Sequence, residues 1–190
     1  IYEDLGLALR TLRDLVSPKI EKIRIDSRET FQKTTVFVAE LMPEIADRLE
    51  HYPGERPIFD LYGVEDEIQK ALERKVPLKS GGYLVVDPAE AMTTIDVNTG
   101  AFVGHRNLEE TIFKTNLEAA TAIARQLRLR NLGGIIIIDF IDMENAKNQR
   151  EVETRLKDAL HYDRARVQMG KISRFGLMEL SRQRLRPSLS

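Results

Sequence analysis

Gly133-Gly134-Ile135-Ile136-Ile137-Ile138-Asp139-Phe140 (GGIIIIDF, residues 133–140) decides how the rest of this chain is read. Four isoleucines in succession predict a strand over 135–138 that is apolar on both faces, as in a parallel or central position. Asn131 to Gly134 ends the element before it, with glycine free to take left-handed geometry. Upstream, Asn107 with Glu110 three residues later forms a capping-box pattern. It predicts a helix from there to about Leu129. Before that helix, Thr93 to Asn98 predicts a strand stopped by Gly100, and Gly81-Gly82 turns the chain into a strand over Tyr83 to Val86. Downstream, Asn145 to Leu160 predicts a second helix. Val167 to Met169 and Leu177 to Leu180 predict short strands, and Arg182 to Ser190 an irregular exit. Strand, long helix, strand, helix is an α/β layer.

The first third is less regular. Leu5, Leu9, Leu12 and Val16 recur at helical spacing and predict a helix over 4–15, closed by Ser17-Pro18. Ile23 and Ile25 alternate with Arg24 and Asp26 as in a short strand. Thr30 to Glu50 is expected to be mostly helical, split or kinked at Pro43. The stretch from Tyr52 to Pro57 (YPGERP) is a break, and Val64 to Arg74 a short helix with Val64, Ile68 and Leu72 on one face. A subdomain boundary is expected some residues beyond that break. No repeat or low-complexity tract is present.

The bulk numbers narrow the classes. At 190 residues, 42% hydrophobic and 31% charged, the chain is of globular rather than disordered type. No apolar run approaches the roughly 18 residues that span a bilayer, and no secretory signal opens the chain. It starts at Ile1 rather than Met, so it is expected to begin inside a longer protein. With no cysteine there is no disulfide and no thiolate metal site within it, in keeping with a cytoplasmic location. The net charge of −1 hides an asymmetry. From Arg164 to Arg186 there are seven Lys or Arg against one acid, Glu179, and Arg125, Arg128 and Arg130 form a second cluster. Such clusters are either a polyanion surface or ordinary solvated faces.

Chemistry concentrates at two aspartates. In a strand, alternate side chains share a face. Ile95 and Val97 therefore point inward, and Thr94, Asp96 and Asn98 line the other side. Asp139 ends the isoleucine strand, and the carboxyl ends of strands are where open α/β sheets bind ligands. If the two strands are neighbours, Asp96 and Asp139 face each other, and a cation between them relieves their repulsion. Oxygen ligands without His or Cys suit Mg²⁺, with Mn²⁺ as the alternative. An Asp at a strand end also caps helices or pairs with Arg, and that reading stays open. Asp142 is read as a cap or turn residue. His51, His105 and His161 lack metal spacing and are read as structural or exposed. Gly81-Gly82 and Gly133-Gly134 lack a phosphate-loop pattern.

Several long segments resemble the ribonuclease E/G family. They are residues 124–134 (ARQLRLRNLGG) running into 135–143 (IIIIDFIDM), 94–100 (TIDVNTG), 110–119 (ETIFKTNLEA), 52–57 (YPGERP) and 173–177 (SRFGL). The likeness is weaker before Glu50, and residues 101–108 (AFVGHRNL) lean to the ribonuclease G branch. The resemblance implies an RNase H-like subdomain over 11–75 and a DNase I-like catalytic subdomain over 76–190, boundaries approximate. Residues 1–10 would be the tail of a 5′-sensing element. It implies a Mg²⁺-dependent endoribonuclease cutting single-stranded RNA in the processing of ribosomal RNA and the decay of messenger RNA. Preference would go to RNA with a 5′-monophosphate. Asp96 and Asp139 match the metal-holding aspartates, Asn98 an asparagine acting at the scissile phosphate, and Arg166 an arginine gripping the 5′-monophosphate. The family's amino-terminal RNA-binding fold, most of its 5′ sensor and its zinc-binding cysteines are missing. The chain is thus expected to be truncated at both ends. The Zn²⁺ that joins protomers into a homo-oligomer in the full-length form would have its ligands elsewhere. The alternatives are a non-cleaving RNA-binding module, another phosphoryl-transfer enzyme on a similar scaffold, and a purely structural role.

Overall fold

The structure, a computed structural model, describes residues 6–100 and 108–185. It is a mixed α/β chain that divides into two compact units, one through Glu67 and the other from Ile68 to Leu189. The expected cap at Asn107, the ribonuclease G-like run before Leu108, His105 and residues 186–190 lie outside the described residues.

In the first unit, helix α1 (Leu7–Leu15) leads to strand β1 (Ile23–Ile25) and helix α2 (Arg28–Leu41). Ser27 caps α2 by accepting the Thr30 N–H at 3.2 Å. Pro43 ends α2 as anticipated and opens a 3₁₀ turn, Pro43–Arg48. The chain then forms strand β2 (Leu49–His51), where helix was expected, and pairs it parallel with β1. Its residues carry no apolar alternation to read, and this strand exists because β1 offers an edge. Leu12, Val38 and Ile45 form a small core. His51 packs against Phe31 and its ring nitrogen meets the Asp26 carbonyl at 3.2 Å, a structural role. Helix α3 (Ile58–Leu61) follows the Tyr52–Pro57 break. Helix α4 (Val64–Ala71) forms, but its stripe is not buried among the described residues.

The second unit is built on a six-stranded sheet ordered β3-β4-β5-β6-β8-β7. Its strands are β3 (Lys75–Pro77), β4 (Tyr83–Pro88), β5 (Met92–Asn98), β6 (Gly134–Asp139), β7 (Val167–Met169) and β8 (Leu177–Arg182). Only β5 and β6 run parallel. Helix α5 (Leu108–Leu129) makes that crossover, and helix α6 (Ala146–Leu160) follows β6. Asn131, at φ 48°, and Gly134, at φ 81°, turn the chain out of α5 and into β6.

Both helices lie on one side. Ile95, Val97, Ile136, Ile138, Met178 and Leu180 share one core with α5 (Ile123, Leu127) and α6 (Val152, Leu156). The two-sided burial expected of the isoleucines is therefore half right. Ile136 and Ile138 are fully covered, whereas Ile135 is 52% exposed. The opposite face of the sheet has no layer over it among the described residues. No helix among them is long and apolar enough to cross a membrane.

Arg182 corrects the charge-cluster reading. It is not in an irregular exit but ends β8, with its side chain 1% exposed. Its guanidinium forks onto Asp163, Nε to Oδ2 at 2.8 Å and Nη2 to Oδ1 at 3.1 Å. It also donates to the Leu132 carbonyl at 2.9 Å and to Asn131 Oδ1 at 3.1 Å. One residue thus ties β8 to the turn before β6 and to the α6–β7 loop. Arg128 and Arg130 are likewise occupied, donating to the carbonyls of Ala159 and Glu73. Burial tends to raise the Asp163 carboxyl, and hydrogen bonds from Arg182 and the Ala165 N–H, with the charges of Arg182 and Arg128, outweigh it and hold it below the usual aspartate range.

Removing Arg182 strands a buried carboxylate, so Arg182→Leu should cost about 3–5 kcal/mol in urea unfolding. Arg182→Leu with Asp163→Leu should cost less than Arg182→Leu alone. Because the Asp163 pKa is depressed on folding, its contribution is present above the ordinary aspartate pKa. It should fade as pH falls through the lowered folded value.

Candidate active site

The candidate site begins with a register. Asp96 and Asp139 are direct partners across the parallel β5–β6 pair, each near the carboxyl end of its strand. β5 alternates exposed and buried residues, placing Asp96 on the uncovered face with Thr94, Val97 and Ile95 opposite. Asp139 ends β6 on that same face, with Leu177 of β8 as its partner on the other side. Neighbouring strands lie about 4.8 Å apart, so the two carboxylates share one small region.

Asn98 joins them. Its Nδ2 donates to Asp96 Oδ2 at 3.1 Å, which holds that carboxylate and leaves the Asn98 carbonyl oxygen without a partner among the described residues. Neither Asp96 nor Asp139 has a cationic ion-pair partner among the described residues, and the cap of α6 is Asn145, which accepts the Lys147 N–H. Among the described residues, neither aspartate caps a helix or pairs with an Arg. Asp142 is not that cap either, but it stands close enough to act on Asp139. Partial burial, then Asp96, then Asp142 push the Asp139 carboxyl above the usual aspartate range. The residue remains exposed overall, so water screens the repulsion and keeps the effect modest.

A further positioning residue was not anticipated from the sequence. Asn116 of α5 is fully buried, donating from Nδ2 to the Ile141 carbonyl at 2.8 Å and accepting the Ile141 N–H at 3.1 Å. It satisfies both backbone groups of a residue two positions beyond Asp139, where β6 pairing has ended. The available signal was an amide at a core-facing position of a long helix.

The donor set fits a hard divalent cation. One or two carboxylates, with waters completing the shell, is what Mg²⁺ accepts. Among the described residues there is no group of three or more His, Cys, Asp or Glu side chains that could hold a metal ion. The two aspartates would hold the ion from one side only.

Arg166 is not part of this cluster. It precedes β7 at the sheet edge, exposed, lining with Gln168, Ser181 and Gln183 an open cavity of about 260 Å³. Its carbonyl accepts the Gln183 N–H at 2.9 Å. Gln183 lies six residues along β8 from the Asp139 partner Leu177, which puts Arg166 on the order of 20 Å from the carboxylates.

Because Asp139 is raised on folding, its charge opposes the fold above its folded pKa, and that penalty is relieved as pH falls. In EDTA at neutral pH, Asp139→Asn should therefore melt at or above the wild-type temperature. A clear drop would show that the carboxylate is stabilising.

Comparison with known proteins bears on this site. The Ribonuclease E/G family model matches residues 1–185. The chain is 59% identical over 189 residues to Ribonuclease G of Salmonella typhimurium (strain SL1344), covering all of this chain and 39% of the relative. It is 56% identical to Ribonuclease G of Haemophilus influenzae, covering 38% of that protein. To Ribonuclease E of Escherichia coli (strain K12) it is 47% identical over 190 residues, 18% of that relative's length. The chain thus spans about two fifths of the ribonuclease G relatives it matches.

Proposed function

The chain belongs to the ribonuclease E/G family, and we propose that it carries the cutting centre of a Mg²⁺-dependent endoribonuclease acting on single-stranded RNA. The observation that carries this reading is the register pairing of Asp96 with Asp139, two carboxylates at one sheet end with no cation of their own. Residues 11–75 would be the RNase H-like subdomain and residues 76–190 the DNase I-like catalytic one, boundaries approximate. Residues 1–10 would end the 5′-sensing element.

Asp96 and Asp139 would hold Mg²⁺ or Mn²⁺. When bound, the ion supplies charge stabilisation at a phosphate oxygen and a more acidic water. Asn98 fixes the Asp96 carboxylate through its amide nitrogen and would act beside the scissile phosphate. Asn116 keeps the end of β6 from drifting, so that Asp139 stays opposite Asp96. Water oxygen bonds to phosphorus as the bond to the 3′ oxygen breaks, leaving a 3′-hydroxyl and a 5′-phosphate. An accessible single strand suits this, since in-line attack needs a flexible backbone.

Arg166 would grip a 5′-monophosphate, which is supported by its exposure and by its polar cavity at a distance from the cutting site. RNA processing and decay in the cytoplasm, and a homo-oligomer joined through Zn²⁺, belong to the same proposal for the full-length protein. The cysteine ligands of that Zn²⁺ would belong to another part of the full-length protein, since this chain has no cysteine.

Asp96→Asn and Asp139→Asn should each abolish cleavage while leaving binding of single-stranded RNA nearly unchanged, and EDTA should do the same to the wild type. Binding without any Mg²⁺-dependent cutting by the intact protein would favour the non-cleaving module instead. Arg166→Gln should reduce the preference for 5′-monophosphate over 5′-hydroxyl substrates by about tenfold, the ~1.4 kcal/mol of a lost charge-assisted contact. An unchanged ratio would remove Arg166 from that role.

A further inference from the structure

Phe175 is 73% exposed at the turn between β7 and β8. A lone exposed aromatic on a surface needs no explanation. This one is held out by a stiff turn. Ser173 Oγ accepts the N–H groups of Phe175 and Leu177, each at 3.3 Å. The Ser173 N–H donates to the Leu177 carbonyl at 2.8 Å, and the Gly176 N–H donates to the Ser173 carbonyl at 3.0 Å.

The turn is also fastened to the candidate site. Gly176 has φ 80°, and a Cβ there would sit 2.7 Å from Asp142 Oδ1, so only glycine allows this approach. The Phe140 N–H, next to Asp139, donates to the Gly176 carbonyl at 3.3 Å. Leu177 is the register partner of Asp139. Counting one strand spacing and two residues of rise, Phe175 stands on the order of 10 Å from the carboxylate pair.

Its surroundings favour a flat, uncharged, partly polar ligand. The Arg174 guanidinium carbon lies 5.5 Å from the ring centroid. Beside the ring is a shallow cavity of about 270 Å³, with Ile141, Met143 and Ile172 as its apolar part and Asp142, Glu144 and Gln149 as its polar part. Gln149 spends its Nε2 on the Met143 carbonyl, so on that side the cavity offers acceptors, while Arg174, which also lines it, supplies donors. Carboxylate oxygens repel a phosphate and accept from the ring and amino N–H groups of a base.

We propose that Phe175 is a nucleobase-stacking residue, taking on its ring the base of a nucleotide beside the bond to be cut, with Arg174 meeting the phosphate backbone next to it. The inference rests on the RNA-cutting reading above. Stacking tolerates any base because every base has a π face, and it holds the strand where phosphate contacts alone would let it slide. The rigid turn means that little order has to be created on binding.

The test uses the intact protein in EDTA and two single-stranded RNA oligonucleotides, one with a single abasic position next to the cut and one without. Phe175→Ala should bind the complete oligonucleotide roughly tenfold to a hundredfold more weakly. Phe175→Trp should restore binding. The abasic oligonucleotide should bind the wild type as weakly as the complete one binds Phe175→Ala, and Phe175→Ala should weaken it no further. With Mg²⁺, Phe175→Ala should raise KM more than it lowers kcat. Equal losses on both oligonucleotides, or wild-type binding by Phe175→Ala, would overturn the proposal. So would a fall in melting temperature without base-dependent binding, which would mean that another segment of the protein packs on the ring. Base-dependent binding without any cutting by the wild type would leave the stacking site standing and sink the nuclease reading.

Discussion

Everything at the candidate site depends on the parallel register of β5 and β6. Side chains alternate along a strand, so a slip of one residue would turn Asp96 or Asp139 from the open face into the core. Three features oppose that slip. Ile95 and Val97 on β5, and Ile136 and Ile138 on β6, are buried against the helical layer and cannot change places with Asp96 and Asp139 without exposing apolar surface. The 22 residues of α5 set the crossover between the strands. Asn116 on that helix then binds both backbone groups of Ile141, immediately past the end of the pairing.

Two pairs of ionisable groups show how differently the fold treats charge. Asp163 and Arg182 are buried together, forked and hydrogen-bonded, with no buried side-chain nitrogen or oxygen among the described residues left unsatisfied. Asp96 and Asp139 are like charges set side by side near water. The first arrangement anchors the sheet. The second opposes folding slightly, a cost that the proposed cation would relieve. Local cost at a functional cluster, held in place by well-satisfied structure around it, is the pattern expected of a site shaped for binding.

The sheet has two unlike faces. One carries α5 and α6, and the other carries the carboxylates, with Arg166 towards the far edge and Phe175 at the near turn. A strand of RNA lying over the uncovered face would meet a stacking ring, the acidic pair and, farther on, a guanidinium.

Local periodicity was enough to place much of this fold. Alternation across Thr93–Asn98, the helix after Asn107, the turn around Gly133-Gly134 and the break at Pro43 all depend on neighbours a few residues away. The aspartates were candidates for the same reason, since alternation and strand ends are local facts, and the resemblance of long segments named the family. What the sequence did not disclose was set by distant partners. β2 (Leu-Glu-His) and β3 (Lys-Val-Pro) carry no apolar alternation such as Ile-Arg-Ile of β1, and exist because another strand offers hydrogen bonds. Four isoleucines look alike in sequence, and only the position of the helices left Ile135 open while covering Ile136. Arg182 resembled every other charge in its run until Asp163, 19 residues away, came within hydrogen-bond reach. The meeting of Asp96 with Asp139 likewise spans a helix. Chain sequence encodes which side of a strand a residue occupies, whereas which strands become neighbours is decided by burying one shared core.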